Sequence, residues 1–317
     1  MKAALVVELG QPPAYGDFTA PRATAGHSIV HVTAASISHV TRGRASGSHY
    51  SAKGQIPFVP GMDGVGRTSD GQRVYFLQPE APFGAMADQT LVQNDHLIAL
   101  PSELDDITAA AIAIPGMSSW AALAERACLR SGETVLVHGA TGASGRLAIQ
   151  IARHLGASKV IATGRNAALF DDLHRLGADV VIDLRKQPDA LEADFRQAFA
   201  QRVDVVLDYL WGPTAQTMIV AAAKAGPDGV PIRHVQIGAL SGADINLPAA
   251  ALRSSALQLM GSGIGSVPFR QLKHALSSVL HTATSSHLEI ATQSFPLSDV
   301  TQAWTQPDDG ARRVLCP

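Results

Sequence analysis

The segment that most constrains this chain is residues 134–155. An apolar run, Thr134-Val-Leu-Val-His138, leads into Gly139-Ala140-Thr141-Gly142-Ala143-Ser144-Gly145 and then Arg146-Leu-Ala-Ile-Gln-Ile-Ala-Arg-His-Leu155. Leu147, Ile151 and Leu155 recur every four residues with Ala148 and Ala152 beside them, so one helical face is apolar and small enough to lie on a sheet. Strand, tight turn and helix follow in that order. Ala140, Gly142 and Gly145 take the three glycine positions of GxGxxG, with alanine in the first. Small residues there let backbone amides and the positive helix end approach a pyrophosphate. The bland alternative is a strand-to-helix turn that holds no ligand. A bare GxGxxG is weak, but its setting makes a dinucleotide site the expectation.

Further strands are expected at 159–163, 180–183, 204–208 and 232–237, with helical stretches between them, the pattern of a parallel sheet built from βαβ units. An acidic residue about 20 positions after the loop would hydrogen-bond the ribose 2′-hydroxyl of NAD. Here the chain reads Gly164-Arg165-Asn166, with no carboxylate and no lysine between Lys159 and Lys186. Gly164 leaves room for a 2′-phosphate and Arg165 offers it a planar fork, so NADP(H) is the expected cofactor. The alternative is that Arg165 merely caps a solvent-facing helix. Open α/β sheets bind ligands at the carboxyl ends of their strands. That nominates Tyr209, Gly238, Ala239, Leu240, Ser262 and Gly263 beside Ala140, Thr141, Gly142, Ala143 and Ser144 of the loop. His138 is expected to be buried in the sheet, outside the chemistry.

Residues 1–100 have a different texture, short β-like runs punctuated by glycine and proline with little helical periodicity, and short pieces return after about residue 295. At 317 residues two domains are expected. The simplest division is an α/β domain, 116–279, inserted in a β-rich domain made of 1–115 and 280–317. Lys and Arg number 25 against 27 Asp and Glu, a net charge of −2, which leaves no electrostatic footprint for nucleic acid or an anionic membrane. A small-molecule ligand is the default. Cys128 and Cys316 form no CxxC pair, against a disulfide framework. The N-terminal apolar run stops at Glu8, and the apolar stretch 109–120 is interrupted by Pro115-Gly116. A cytoplasmic protein without an anchor is therefore expected.

Several stretches together resemble the medium-chain dehydrogenase/reductases of the zinc-free quinone oxidoreductase type. They are Met1-Lys2-Ala3, Ile56-Pro57-Phe58-Val59-Pro60-Gly61-Met62-Asp63-Gly64-Val65-Gly66, Ile114-Pro115-Gly116-Met117-Ser118-Ser119-Trp120-Ala121-Ala122-Leu123, the loop 137–145 and the closing 310–315. The resemblance covers essentially the whole chain. It implies a Rossmann doubly wound parallel sheet domain inserted in a GroES-like β-rich domain, an active-site cleft, and commonly a homodimer. The zinc-dependent branch has a cysteine where this chain has Ser38, a His-Glu pair where it has Met62-Asp63, and a further cysteine near Pro115. Zinc needs about four N, S or O ligands, so no metal is expected.

Without a Lewis acid to stabilise an alkoxide, a conjugated acceptor that spreads its own negative charge is the easier substrate. The expected activity is NADPH-dependent hydride transfer to a quinone or other α,β-unsaturated carbonyl, with proximity and orientation as the protein's main contribution. The alternatives are an enoyl-thioester or other double-bond reductase on the same scaffold, or a non-catalytic NADPH-binding protein. Zinc-free relatives carry an Asn at Ser38 and an Asp at Thr41. The two hydroxyls here are catalytic candidates that serve equally well to satisfy local backbone. Tyr50 is a candidate proton donor or stacking wall. Ser118 matches a hydroxyl that the family places near the nicotinamide, and Asp63 is expected to organise the turn around Gly61 and Gly64.

Overall fold

Chain order in the first part alternates short strands with tight turns. The computed structural model describes residues 1–49, 56–307 and 310–317. Strand β1 (Lys2–Leu5) pairs antiparallel with β2 (Ala14–Asp17). A long strand, β3 (His27–Ser36), is followed by helix α1 (His39–Ser46) and by β4 (Asp63–Thr68), β5 (Arg73–Leu77), β6 (Gln89–Gln93) and β7 (Leu97–Ala99). Helix α1 is absent from the sequence expectation. It interrupts its own pattern with Gly43 and buries only Thr41 and Ala45, so no apolar stripe announces it.

Helix α2 (Asp106–Trp120) runs through Pro115, and one wider turn carries it on to Arg126, with the Ala127 N–H donating to Ala122 O at 2.9 Å. The expected break at Pro115-Gly116 does not occur. Proline removes one donor from the ladder, and the helix tolerates that loss in a setting of buried Ala109 to Ala113 and Met117. Residues Asp106–Arg126 are the one segment among the described residues long and apolar enough to cross a membrane. Of that window, 78% is buried within the protein, as in a core helix.

The strands expected after the glycine loop are present: β8 (Thr134–His138), α3 (Ala143–His154), β9 (Lys159–Gly164), α4 (Phe170–Arg175), β10 (Val180–Asp183), α5 (Pro188–Ala200), β11 (Val205–Asp208), α6 (Gly212–Ala225) and β12 (Ile232–Gln236). A short α7 (Ala249–Arg253) precedes β13 (Leu257–Gly261). These six strands are parallel in the order β10-β9-β8-β11-β12-β13. The order reverses direction beside β8, which is where a doubly wound sheet opens a crevice for a ligand. Every residue of β8 is buried, as a strand covered by helices on both faces requires. Helix α3 lays Leu147, Ala148, Ile151 and Ala152 inward, the face read from its four-residue spacing.

Helix α8 (Phe269–Ser285) leads to β14 (Thr292–Pro296), α9 (Val300–Thr305) and β15 (Arg312–Cys316). The last strand lies between β14 and β3, with Val314 opposite Ser36 and Leu315 opposite Ala35. The chain thus divides into one unit of Met1–Ile114 with Leu276–Pro317 and another of Pro115–Ala275. Each has its own core. Val30, Phe76, Met86, Val92, Trp304 and Leu315 cluster in the first, and Leu136, Ile161, Phe195, Phe199, Met218 and Ile219 in the second. Phe195 is fully buried in that second cluster. Phe195→Ala is expected to lower stability by about 3–5 kcal/mol, read as a shift in the urea unfolding midpoint.

Candidate functional site

The turn from β8 into α3 is set by two close approaches. Gly139 sits at φ +95°, and a Cβ there would come within 2.8 Å of Leu210 Cγ. A Cβ on Gly145 would lie 2.4 Å from the Gly139 carbonyl oxygen. Gly142 differs: it is exposed, and its Cβ position faces open space apart from Gly139 O at 4.0 Å. The sequence reading put the first glycine role on Ala140, whereas the left-handed turn belongs to Gly139. Ala140 is fully buried and its N–H donates to Thr163 O at 2.7 Å, so that amide is already engaged.

Helix α3 begins without a side-chain cap and with no carboxylate in its first turn. The amides of Ala143, Ser144 and Gly145 precede the first internal bond, from the Arg146 N–H to Gly142 O at 2.9 Å. Such amides and the helix dipole together attract an anion. The contrast with α1 is direct, because Ser38 caps that helix by accepting the Thr41 N–H at 3.0 Å.

At the end of β9, a Cβ on Gly164 would meet Thr141 Cγ2 at 2.4 Å. The sequence reading kept that space for a phosphate, but the Thr141 methyl occupies it. Asn166 caps the following turn, its Oδ1 accepting from the Ala168 N–H at 3.2 Å, so Arg165 is not the cap. Arg165 is exposed and takes part in no hydrogen bond or ion pair among the described residues. Neighbouring cations are committed, Arg146 and Arg175 to Asp172 and Arg185 to Asp183.

Tyr209, after β11, shares a hydrogen bond of 2.8 Å with Ser119 Oγ, and burial pushes its phenol pKa up. The Ser119 hydroxyl also lies 3.2 Å from Ser144 O and 3.0 Å from Pro115 O. Ser118 donates to Pro115 O at 2.8 Å. Sequence reasoning named Ser118 and missed Ser119. The available signal was a second hydroxyl in an otherwise apolar run. Gly238 packs on the Tyr209 carbonyl, which a Cβ would approach to 2.6 Å. Ala239 and Leu240 are exposed, Leu240 at 63%. The Ser262 N–H donates to Gln236 O and the Gly263 N–H to Ser266 Oγ, at 2.9 and 2.7 Å. No hydrogen bond among the described residues ties Ala239, Leu240, Ser262 or Gly263 to the glycine loop.

Beneath these strand ends lies a buried polar network. His138 contacts Thr163 Oγ1 at 2.9 Å and Thr214 Oγ1 at 3.0 Å, and burial lowers its pKa to about 4. Burial alone would raise the Asp208 carboxyl, but the His234 hydrogen bond and the charges of His138 and His234 bring it below the ordinary value.

In the first unit Ser38 and Thr41 are 2% and 1% exposed, and their hydroxyls are bonded to each other at 2.9 Å. Capping α1 is therefore what these two catalytic candidates do here. Since Ser38 accepts the Thr41 amide, the pair keeps one O–H for an outside acceptor. Tyr50 lies outside the described residues. Asp63 is fully buried and accepts the Tyr75 hydroxyl at 3.0 Å. Burial raises its pKa to about 7, against the lowering effects of Tyr75 and Arg312. The donor set does not suit zinc: Ser38 is a cap, Met62 is a thioether, Asp63 is held by Tyr75, and no group of three His, Cys, Asp or Glu is clustered among the described residues.

A six-stranded parallel sheet reversing at β8, with a glycine turn and an uncapped helix at that reversal, defines a Rossmann dinucleotide-binding fold. Residues 143–281 match the family described as Zinc-binding dehydrogenase. The chain is 28% identical to the probable NADPH-dependent quinone reductase of Emericella nidulans, covering 100% of both. It is 32% identical to the 2-methylene-furan-3-one reductase of Solanum lycopersicum over 50% of this chain and 45% of that one. The quinone oxidoreductase of Thermus thermophilus, solved alone and with NADPH, superposes with a TM-score of 0.83 at 25% identity, covering 100% of each chain. By these matches the chain is similar to proteins of the medium-chain dehydrogenase/reductase superfamily.

The buried His138 makes a pH prediction. Its pKa is about 4 in the folded chain against an ordinary 6.5, so the unfolded chain takes up the proton first. Its contribution is complete above pH 6.5 and falls as pH drops toward 4, by roughly 3 kcal/mol in all. Urea unfolding of the native protein and of His138→Asn at pH 7.5 and 4.5 should show a smaller acid loss in the variant. Equal losses would refute this account of His138.

Proposed function

We propose that the protein is an NADPH-dependent oxidoreductase that transfers a hydride to a quinone or other α,β-unsaturated carbonyl without zinc. The observation that carries the reading is the uncapped first turn of α3, open at Gly142, with the unpaired Arg165 at the end of the next strand. Thr141, Gly142, Ala143 and Ser144 hold the pyrophosphate through backbone amides. Arg165 takes the 2′-phosphate, with Gly164 and Asn166 shaping the turn that presents it. Ser118, Tyr209 and Gly238 stand toward the nicotinamide half, with Ala239, Leu240, Ser262 and Gly263 at the neighbouring strand ends. When bound, the reduced nicotinamide supplies the hydride.

The E. nidulans and T. thermophilus proteins, a quinone reductase and a quinone oxidoreductase by name, support a quinone acceptor. The tomato protein is named as a reductase of a furanone carrying a methylene group, which supports an enone equally. A conjugated carbonyl is the chemistry common to both. Of the catalytic candidates, the Ser38–Thr41 pair, with its one free O–H, is the hydroxyl donor toward an acceptor carbonyl. A homodimer in the cytoplasm completes the proposal, and the dimer is checked by light scattering.

Two outcomes test the reading. Arg165→Ala should weaken NADPH binding about 10- to 100-fold, the worth of a charge-assisted hydrogen bond, while leaving NADH binding nearly unchanged. Fluorescence titration measures both, and tighter NADH binding by the native protein would reverse the cofactor assignment. NADPH should be consumed with a quinone or an enone panel. Tight NADPH binding with no turnover on either panel would leave a binding protein instead.

A further inference from the structure

The turn after β11 is strained and held from behind. Trp211 has φ +55° and ψ −158°, a region that a bulky side chain occupies only at a cost of about 1–3 kcal/mol. Asp208 Oδ1 accepts the N–H of both Leu210 and Trp211 at 2.9 Å. Its other oxygen, Oδ2, lies 3.1 Å from His234 Nε2, and the two residues are 0% and 1% exposed. The Trp211 ring meets the His234 ring edge-on, centroids 6.1 Å apart. A buried carboxylate with this many donors is satisfied only if His234 presents Nε2–H to it.

The same turn carries Tyr209, whose N–H donates to His138 O at 3.1 Å and whose hydroxyl reaches Ser119. Ser119 Oγ in turn reaches Ser144 O in the first turn of α3. His234, Asp208, the 209–211 turn, Ser119 and Ser144 therefore form one continuous chain of polar contacts. It runs from the middle of β12 to the uncapped helix start.

We propose that Asp208 and His234 are positioning residues for the cofactor cradle, holding the 209–211 turn so that Tyr209 and Ser119 brace the first turn of α3. The proposal rests on the NADPH reading for its functional meaning, but the brace exists without the cofactor. Neither residue carries the cofactor's phosphates. Each acts through the turn, so removing one loosens the amides that do.

The test uses His234→Leu, His234→Gln, Tyr209→Phe and the double variant His234→Leu/Tyr209→Phe in the full chain, with thermal midpoints recorded for each. NADPH dissociation constants should rise about 5- to 30-fold in His234→Leu, the span of coupling through such networks, and return to within about 2-fold in His234→Gln, which keeps a donor near Nε2. The double variant should be little weaker than the worse single one, because both remove the same brace. Hydrogen exchange of ligand-free protein should speed up in His234→Leu at Arg146, the first hydrogen-bonded amide of α3, and at Leu210 and Trp211, which Asp208 holds. A lowered thermal midpoint with unchanged affinity and unchanged exchange at those amides would reduce the pair to a structural role and overturn the proposal. Multiplying losses in the double variant would do the same. Native protein that fails to bind NADPH would sink the NADPH reading, and the exchange measurement would still decide the brace.

Discussion

The contact between Gly145 and the Gly139 carbonyl is the constraint from which the second unit follows. With a Cβ position only 2.4 Å from that oxygen, no side chain other than hydrogen fits, and the helix start can lie directly against the strand end. That approach fixes the axis of α3 over β8, seats Leu147 and Ile151 on the sheet, and leaves the first-turn amides pointing outward without a cap. A helix start of this kind is incomplete by itself. The chain offers it neither a capping side chain nor a carboxylate.

Several carboxylates in this unit are paired with cations. Asp172, Asp183, Asp179 and Asp194 each hold an arginine or lysine. Arg165, like Arg196 and Arg253, has no such partner among the described residues, but it stands at the strand end that follows the uncapped helix. Exposed ion pairs contribute little to stability, so leaving one cation unpaired carries little penalty while keeping it available to a dianion.

Legibility in the sequence tracked periodicity. The strand at Thr134–His138 and the helix after it were readable because their apolar residues repeat at the spacing of the element, and the strands at Val180–Asp183 and Lys159–Gly164 were placed to within a residue. Helix α1 was not readable, because two buried residues in eight make no stripe. The continuity of α2 through Pro115 was hidden by a local rule about proline that tertiary packing overrode. Gly139 and Gly142 look alike in the sequence, yet one is needed for its φ and the other for its openness, a difference that only the surroundings create. Ser119 and the Asp208–His234 pair escaped for a related reason: their partners lie 90 and 26 residues away, and contacts at that separation leave no periodic trace.

Strand β15 has a consequence for how the protein is made. The sheet of the second unit draws all its strands from one uninterrupted stretch, Thr134 to Gly261, whereas β3 gains its neighbour β15 only from Arg312–Cys316. Chains emerge from the ribosome N-terminus first, and domains close as units once their parts are available. Strand β3, made before the second unit, must therefore wait for β15, made after it, with its edge at Ala35 and Ser36 unpaired meanwhile, while the stretch between them can already be folded. The first unit to begin is the last to finish.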